Sequence, residues 1–411
     1  MTDRHVYLDA NATEPLRPEA REAMIAALDT LGNPASVHAA GRAARRIMED
    51  ARETIAGLFG AKPADVVFTS GGTEADVLAV RALGFERAVI YGGTEHDAVR
   101  KAPPVGYVLP VHANGVAQSA LLETMLEEEE RLALVCVMLA NNETGTINPI
   151  DVLLPVCRRH SARLHVDAVQ AAGRLPVRLD QLGATSMAIS SHKLGGPAGA
   201  GALLLNEVHR FGPPMMRGGG QEGGRRGGTP PVAVIAGFAA AAQAAVAQLH
   251  DMKRIAGLRD RAEAAAVAAG AIVYGNPLER LPNTTCLRMP GVRGDQQVIA
   301  LDLENIAVSF GAACSSGKAE ASHVLQQMQV PYYEAEEAIR VSLPWNVTEA
   351  DIDAFCNVYP RVVERLRSAG NAAGNASPNA NPNVSPNVSP NVSPNVPGAA
   401  MTPLAPQGAD A

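Results

Sequence analysis

Leu164-His165-Val166-Asp167-Ala168-Val169-Gln170 and, further on, Met187-Ala188-Ile189-Ser190-Ser191-His192-Lys193 each run from a short apolar stretch straight into a polar cluster. A strand buried on both faces reads as a continuous apolar run, and the polar residues that follow mark its carboxyl end. The same pattern recurs upstream. Val66-Val67-Phe68 leads into Thr69-Ser70-Gly71-Gly72-Thr73-Glu74, Ala88-Val89-Ile90-Tyr91 into Thr94-Glu95-His96, and Leu134-Val135-Cys136-Val137-Met138 into Asn141-Asn142-Glu143-Thr144-Gly145. Amphipathic stretches of helical period separate them. From about Asp65 to Leu205 this predicts an α/β fold with a mainly parallel sheet, whose strand-end clusters converge on one crevice.

Size and composition set the frame for that sheet. With 411 residues and 47% hydrophobic content, the chain can bury one large core and a smaller one. The Ala-rich stretch Val232 to Leu249 predicts a long helix, and a mixed pattern after about Arg254 suits a second lobe. We therefore expect a large domain over 1–253, whose first fifteen or so residues can pack with the small one, a small α+β domain over 254–367, and a tail over 368–411. The tail is rich in Asn, Pro, Ala, Gly and Ser, with Ser-Pro-Asn-Val starting at 385, 389 and 393, and Asp410 is its only charge. Such a composition buries too little apolar surface to offset its ordering entropy, which predicts disorder. The formal charge of -7 comes without a basic block, so neither nucleic acid nor an anionic membrane is an expected partner. No apolar run approaches the roughly 20 residues that span a bilayer, and the N-terminus lacks a leader pattern, so a cytoplasmic location is expected. The five cysteines, Cys136, Cys157, Cys286, Cys314 and Cys356, are scattered and never form Cys-x-x-Cys, which indicates neither a disulfide framework nor a zinc site.

The strand-end residues carry chemistry. An aspartate such as Asp167 can hold a pyridine nitrogen protonated, and a lysine such as Lys193 can form an imine once its amine is neutral. These are the protein groups that pyridoxal phosphate chemistry most needs. Ser70-Gly71-Gly72-Thr73, between a strand and a helix, suits a phosphate cup at a helix N-terminus; Thr73-x-x-Asp76 also fits a capping box. His96 could stack on a cofactor ring or simply hydrogen-bond within a turn. Gly195 to Gly201 lacks the Gly-Lys-Ser/Thr ending of a nucleotide-binding loop and reads as a tight passage into the strand Ala202 to Leu205. The clusters Arg217-Gly218-Gly219-Gly220 and Arg225-Arg226-Gly227-Gly228-Thr229 lack interleaved aromatics. They suit an active-site or interface loop better than an RNA-binding tract.

Taken in order, TSGGTEA (69–75), TEH (94–96), NNETGT (141–146), HVDAVQ (165–170), SSHKLGGPAGAGAL (190–203), GGGQEGGRRGGT (218–229), GAACSSG (311–317) and IRVSL (339–343) resemble the NifS/IscS-type cysteine desulfurases of the class V aminotransferase family. The resemblance runs from about Tyr7 to Asp353. It implies the pyridoxal-phosphate-dependent transferase fold of type I, with a seven-stranded sheet, in a homodimer. It further implies that Lys193 forms the imine with the cofactor, Asp167 pairs with the pyridine nitrogen and His96 lies over the ring. Gly72, Thr73, Ser190 and His192 would bind the phosphate, with Thr229 supplied by the partner subunit. Asn142 and Gln170 would contact the phenolic oxygen, while Asn142 and Arg340 would hold the substrate carboxylate, a task that suits the planar guanidinium fork. Cys314 would be the nucleophile that takes sulfur from L-cysteine, releases alanine and passes a persulfide to an acceptor protein. No metal is implied.

The chain departs from the family where Asp76-Val77 replace the usual Asn pair, where Phe310 replaces a Ser, within Leu194-Gly195-Gly196-Pro197-Ala198, and where Pro344-Trp345-Asn346 replaces a Gly-Arg. None removes a group that the imine chemistry or the sulfur attack needs. Selenocysteine lyase, or another class V reaction such as transamination, is the alternative on the same scaffold, and a non-catalytic scaffold descended from the family is the alternative outside catalysis.

Overall fold

The computed structural model describes residues 5–206, 211–275, 277, 279–310 and 321–375. In chain order its strands are Val6–Tyr7 (β1), Val66–Thr69 (β2), Ala88–Gly92 (β3), Tyr107–Leu109 (β4), Ala133–Met138 (β5), Arg163–Asp167 (β6), Ser186–Ser190 (β7), Gly201–Leu205 (β8), Ile272–Tyr274 (β9), Thr284–Arg288 (β10), Ile306–Ala307 (β11), Ser309–Phe310 (β12) and Ala338–Ser342 (β13). Strands β2 to β8 form one seven-stranded sheet in the order β2-β8-β7-β6-β5-β3-β4, parallel except where β8 runs antiparallel to β2 and β7. Successive side chains point to opposite faces, so the apolar runs feed two cores at once. Val66 and Phe68 join Val135, Val166 and Ile189 on one face beneath the helices Ala39–Phe59 and Val232–Ala247. Val67 joins Leu134, Cys136, Ala188 and Leu203 on the other, against the helix Gly72–Leu83.

Strands β9, β10, β12 and β13 make an antiparallel sheet in the order β12-β13-β10-β9. It packs with the helices Met252–Ala268 and Glu349–Asn375 around Leu287, Ile339, Val341 and Phe355. Phe355 stacks on Tyr359 with ring centroids 5.1 Å apart. The N-terminal segment contributes to this second core: β1 pairs in parallel with β11, and Val6 and Leu8 are buried in it. The segment then crosses to the large sheet, and this crossing brings the chain start to the site described below.

One boundary needs correction. The sequence places the tail from 368 onward, but the helix beginning at Glu349 continues to Asn375. Ala369, Ala372 and Ala373 favour helix, and the first proline after them comes only at Pro378, so the composition turns helix-breaking later than the loss of charge suggests.

Candidate active site

The helix Gly72–Leu83 starts immediately beyond the carboxyl end of β2. A Cβ at Gly72 would lie 2.6 Å from a Val169 methyl and 3.3 Å from Ser190 Cβ, so only glycine lets this helix end approach β6 and β7 so closely. Thr73 is the second helical residue and no side chain caps the helix. The capping box therefore does not form, and Asp76 turns inward instead. The amide N–H groups of the first turn lack intrahelical partners, and the buried Ser190 hydroxyl beside them has no partner among the described residues. Orphan donors and a positive helix end meeting at one point fit a phosphate group.

Asp167 ends β6 one strand away from Ser190. Its Oδ1 accepts from the Val169 N–H at 2.8 Å, and burial, reinforced by the nearby Asp76 carboxyl, pushes its pKa up to about 7. A buried carboxyl with this bias gains most from a cationic partner, such as a protonated pyridine nitrogen, which draws its pKa back down. Behind it, on the same face of β6, His165 Nδ1 lies 2.8 Å from Ser186 Oγ and Nε2 lies 3.2 Å from Asp76 Oδ1. Burial lowers the His165 pKa to about 4 and raises that of Asp76 to about 8. Glu95, also buried, is raised well above the usual carboxylate range, first by burial and then by Asp167. Asp76 thus keeps its proton in the folded, cofactor-free chain at pH values where the unfolded chain has lost it.

The folded state binds the extra proton between about pH 4 and about pH 8, so stability falls as pH rises through that window. Asp76→Asn has no such proton to lose. Its unfolding temperature, measured without cofactor, should decline less steeply than that of the wild type across the window. Equal slopes for the two proteins would refute the buried neutral carboxyl.

Lys193 sits in the 3-10 turn Ser191–Lys193 just after β7. Its Nζ donates to the carbonyls of Asn11 and, at 2.7 Å, Ala12. Asn11 was not among the residues expected here, because nothing local marks it; only the return of the N-terminal segment from the small lobe places it. Gln170 Nε2 donates to the same Asn11 carbonyl at 3.0 Å, and its Oε1 accepts from Arg174 at 2.5 Å, which fixes the orientation of the amide. Burial, with Lys193 close by, lowers the His192 pKa to about 4. Arg340, on β13, donates to the Asn142 carbonyl at 3.1 Å and to Asp9 Oδ1 at 2.6 Å; its buried Nε has no partner among the described residues.

These residues converge. Asp167, Lys193, Ser190, Gly72 and His96 line one cavity of about 750 Å³, and Thr73, Asn142, Gln170, His192 and Arg340 complete the expected set within it. His96 also plays the plainer role, since its Nδ1 accepts from the Ala98 N–H at 3.1 Å at the start of a short helix. Thr229 is exposed and lies outside this cavity. Its loop is nevertheless tied to the phosphate cup: Arg226 pairs with Glu74 at 2.8 Å, and Glu74 Oε2 accepts from the Ser70 N–H at 2.6 Å. Cys314 lies outside the described residues. Further along, Ser322 donates to Glu143 and His323 Nε2 lies 3.1 Å from the Glu95 carbonyl, next to Asn142 and His96, which line the cavity. Burial raises the thiol pKa of Cys136, Cys157, Cys286 and Cys356, which leaves none of the four poised as a thiolate.

The sequence profile of the class V aminotransferases matches residues 6–355. A cysteine desulfurase of Cereibacter sphaeroides is 41% identical over 379 residues, covering 88% of this chain and 97% of that protein. An IscS-like cysteine desulfurase of Mycobacterium tuberculosis is 40% identical over 385 residues, with the same coverage. Among solved structures, a NifS-like protein from Rickettsia africae superposes with a TM-score of 0.82 at 32% identity, over 88% of this chain and all of that one.

Proposed function

The chain belongs to the class V aminotransferase family, and from that membership we propose that it is a pyridoxal-phosphate-dependent cysteine desulfurase. It converts L-cysteine to L-alanine and takes the sulfur onto its own Cys314. The observation that carries this assignment is the meeting of Asp167, Lys193, Ser190 and the Gly72 helix end in the cavity that Arg340 enters from the small lobe. Bound pyridoxal phosphate supplies an electron sink that labilises the bonds around the substrate's α-carbon.

The chain's own groups do the rest. The helix end and Ser190 hold the phosphate, Asp167 holds the ring nitrogen, and Gln170 and Asn142 face the phenolic oxygen. Arg340 takes the substrate carboxylate on a guanidinium whose buried Nε lacks a partner among the described residues. Lys193 Nζ, and His96 across the cavity, are placed to move protons. The Cys314 thiolate attacks the substrate sulfur, an S–S bond forms, and the C–S bond breaks with its electron pair left on the substrate carbon. A proton on that carbon completes alanine, and the persulfide awaits an acceptor protein in iron–sulfur cluster assembly or thio-modification. The exposure of Thr229 outside its own cavity supports a homodimer in which it serves the partner's site.

Alanine release from cysteine with a reductant present, by wild type and Cys314→Ala, tests the assignment. The variant should lose activity about a hundredfold, about 2.7 kcal/mol of transition-state stabilisation. Full alanine release without Cys314 would overturn the desulfurase assignment in favour of a class V reaction that needs no thiol. Selenocysteine assayed beside cysteine separates lyase from desulfurase.

A further inference from the structure

Trp345 is the only tryptophan of the chain. It follows β13, the strand that carries Arg340, so it belongs to the small lobe, yet its indole and its backbone N–H both reach the N-terminal segment. The Arg17 guanidinium lies over the indole, 4.5 Å from the ring centroid. The indole Nε1–H donates to the Pro15 carbonyl at 2.9 Å, and the backbone N–H donates to Glu14 Oε2 at 3.1 Å. The same segment grips the turn that bears Lys193. Glu14 N–H donates to the His192 carbonyl at 2.8 Å, Arg17 N–H to the Gly195 carbonyl at 2.8 Å, and Arg17 Nε to the Leu194 carbonyl at 2.9 Å.

The fit is close. Gly195 has a φ of +80°, and a Cβ there would lie 2.7 Å from Arg17 Cγ. Nearer the cavity, the carbonyls of Asn11 and Ala12, on the same segment, receive Lys193 Nζ.

We propose that Trp345 is a positioning residue for the cofactor lysine: it clasps residues 11–17 against the 192–195 turn and so couples the small lobe to Lys193. The proposal rests on the assignment of pyridoxal phosphate to this cavity. Arg17 is the middle of the clasp, held between the indole on one side and the Leu194 and Gly195 carbonyls on the other. Arg17 also donates to Gln248 Oε1 at 2.7 Å, so loosening the indole leaves it on the large lobe but removes the small lobe's hold on the segment that presents both carbonyls to the amine. A guanidinium stacked on an aromatic face and a half-buried N–H donor each contribute modestly to holding the segment in register.

The test uses full-length protein loaded with pyridoxal phosphate and follows cofactor loss into an aldehyde trap by absorbance. Trp345→Ala should release cofactor at least about tenfold faster than wild type, equivalent to about 1.4 kcal/mol. Its kcat should fall while KM for cysteine changes by less than about twofold. Trp345→Phe keeps the stack on Arg17 and loses the donor, so it should fall between the two, and it serves should the alanine variant fail to fold. Phe355→Leu, in the small-lobe core away from the clasp, should lower the unfolding temperature and leave cofactor release unchanged.

If both Trp345 variants hold cofactor as long as wild type, the proposal is wrong. It is equally wrong if Phe355→Leu speeds release as much as Trp345→Ala does, since any loss of stability would then suffice. A wild-type chain that takes up no pyridoxal phosphate overturns the cofactor assignment and the clasp together. One that takes it up but makes no alanine overturns the desulfurase assignment alone.

Discussion

Lys193→Ala is expected to cut alanine production from cysteine by at least about a thousandfold, about 4 kcal/mol of transition-state stabilisation. The size follows from what else the cavity holds. Among the described residues its other lysine, Lys101, is largely exposed and pairs with Asp97 at 2.7 Å, so no second amine stands near the carbonyls of Asn11 and Ala12. On the proposed assignment, replacing Lys193 removes both the group that attaches the cofactor and a proton carrier beside it, and neither His96 nor His192 can form an imine. The fold should survive, because the Lys193 side chain borders the cavity while the hydrophobic cores lie on either side of the sheet. Steady-state rates with circular dichroism as a control would show this. Retention of more than about a tenth of wild-type activity would remove Lys193 from the chemistry, because loss of a covalent step costs far more than one decade.

The largest expected effect on stability is at Arg174. It is 4% exposed and donates to Glu14 Oε1 at 3.0 Å, to the Gln170 side chain at 2.5 Å and to the Gln170 and Ala10 carbonyls at 3.0 and 3.3 Å. Burial already raises the pKa of Glu14, and Arg174 is the main influence that lowers it again. Arg174→Ala leaves that carboxyl buried without its ion-pair partner, though still accepting from the Trp345 N–H, and a destabilisation of about 3–5 kcal/mol is expected. Urea unfolding of the cofactor-free chain measures it. The double variant Glu14→Ala/Arg174→Ala should recover part of the loss, since removing both charges also removes the uncompensated one. A loss below about 1 kcal/mol in the single variant would mean that water reaches Glu14 and that the pair is no deeper than a surface bridge.

Much of this site was legible in the sequence because it lies where strands end. Asp167, Ser190 and Lys193 follow apolar runs whose burial on both faces dictates the parallel sheet, and such a sheet presents its carboxyl ends together. Gly72 and Thr73 were legible for the same reason, although whether Thr73 caps the helix or faces the cavity needed the actual N-terminus. Asn11, Asp9 and Glu14 left no local signal. They belong to a short segment that pairs with the small lobe at Val6–Tyr7 and only then reaches the large sheet, and such long-range pairing has no period to read. Asp76 read as a capping residue or a family departure, and became a buried partner of His165 only once the helix was docked on β6.

What the sequence determined by itself is therefore the sheet, the strand-end chemistry and the family, each encoded in contiguous runs of a few residues. The tertiary structure alone decided which backbone carbonyls receive Lys193, which carboxyls lie buried behind Asp167, and that a tryptophan from the small lobe meets the segment that presents those carbonyls. The physical reason is locality. Alternation and strand-end polarity are set by neighbouring residues, whereas burial and pairing are set by whatever the rest of the chain brings near.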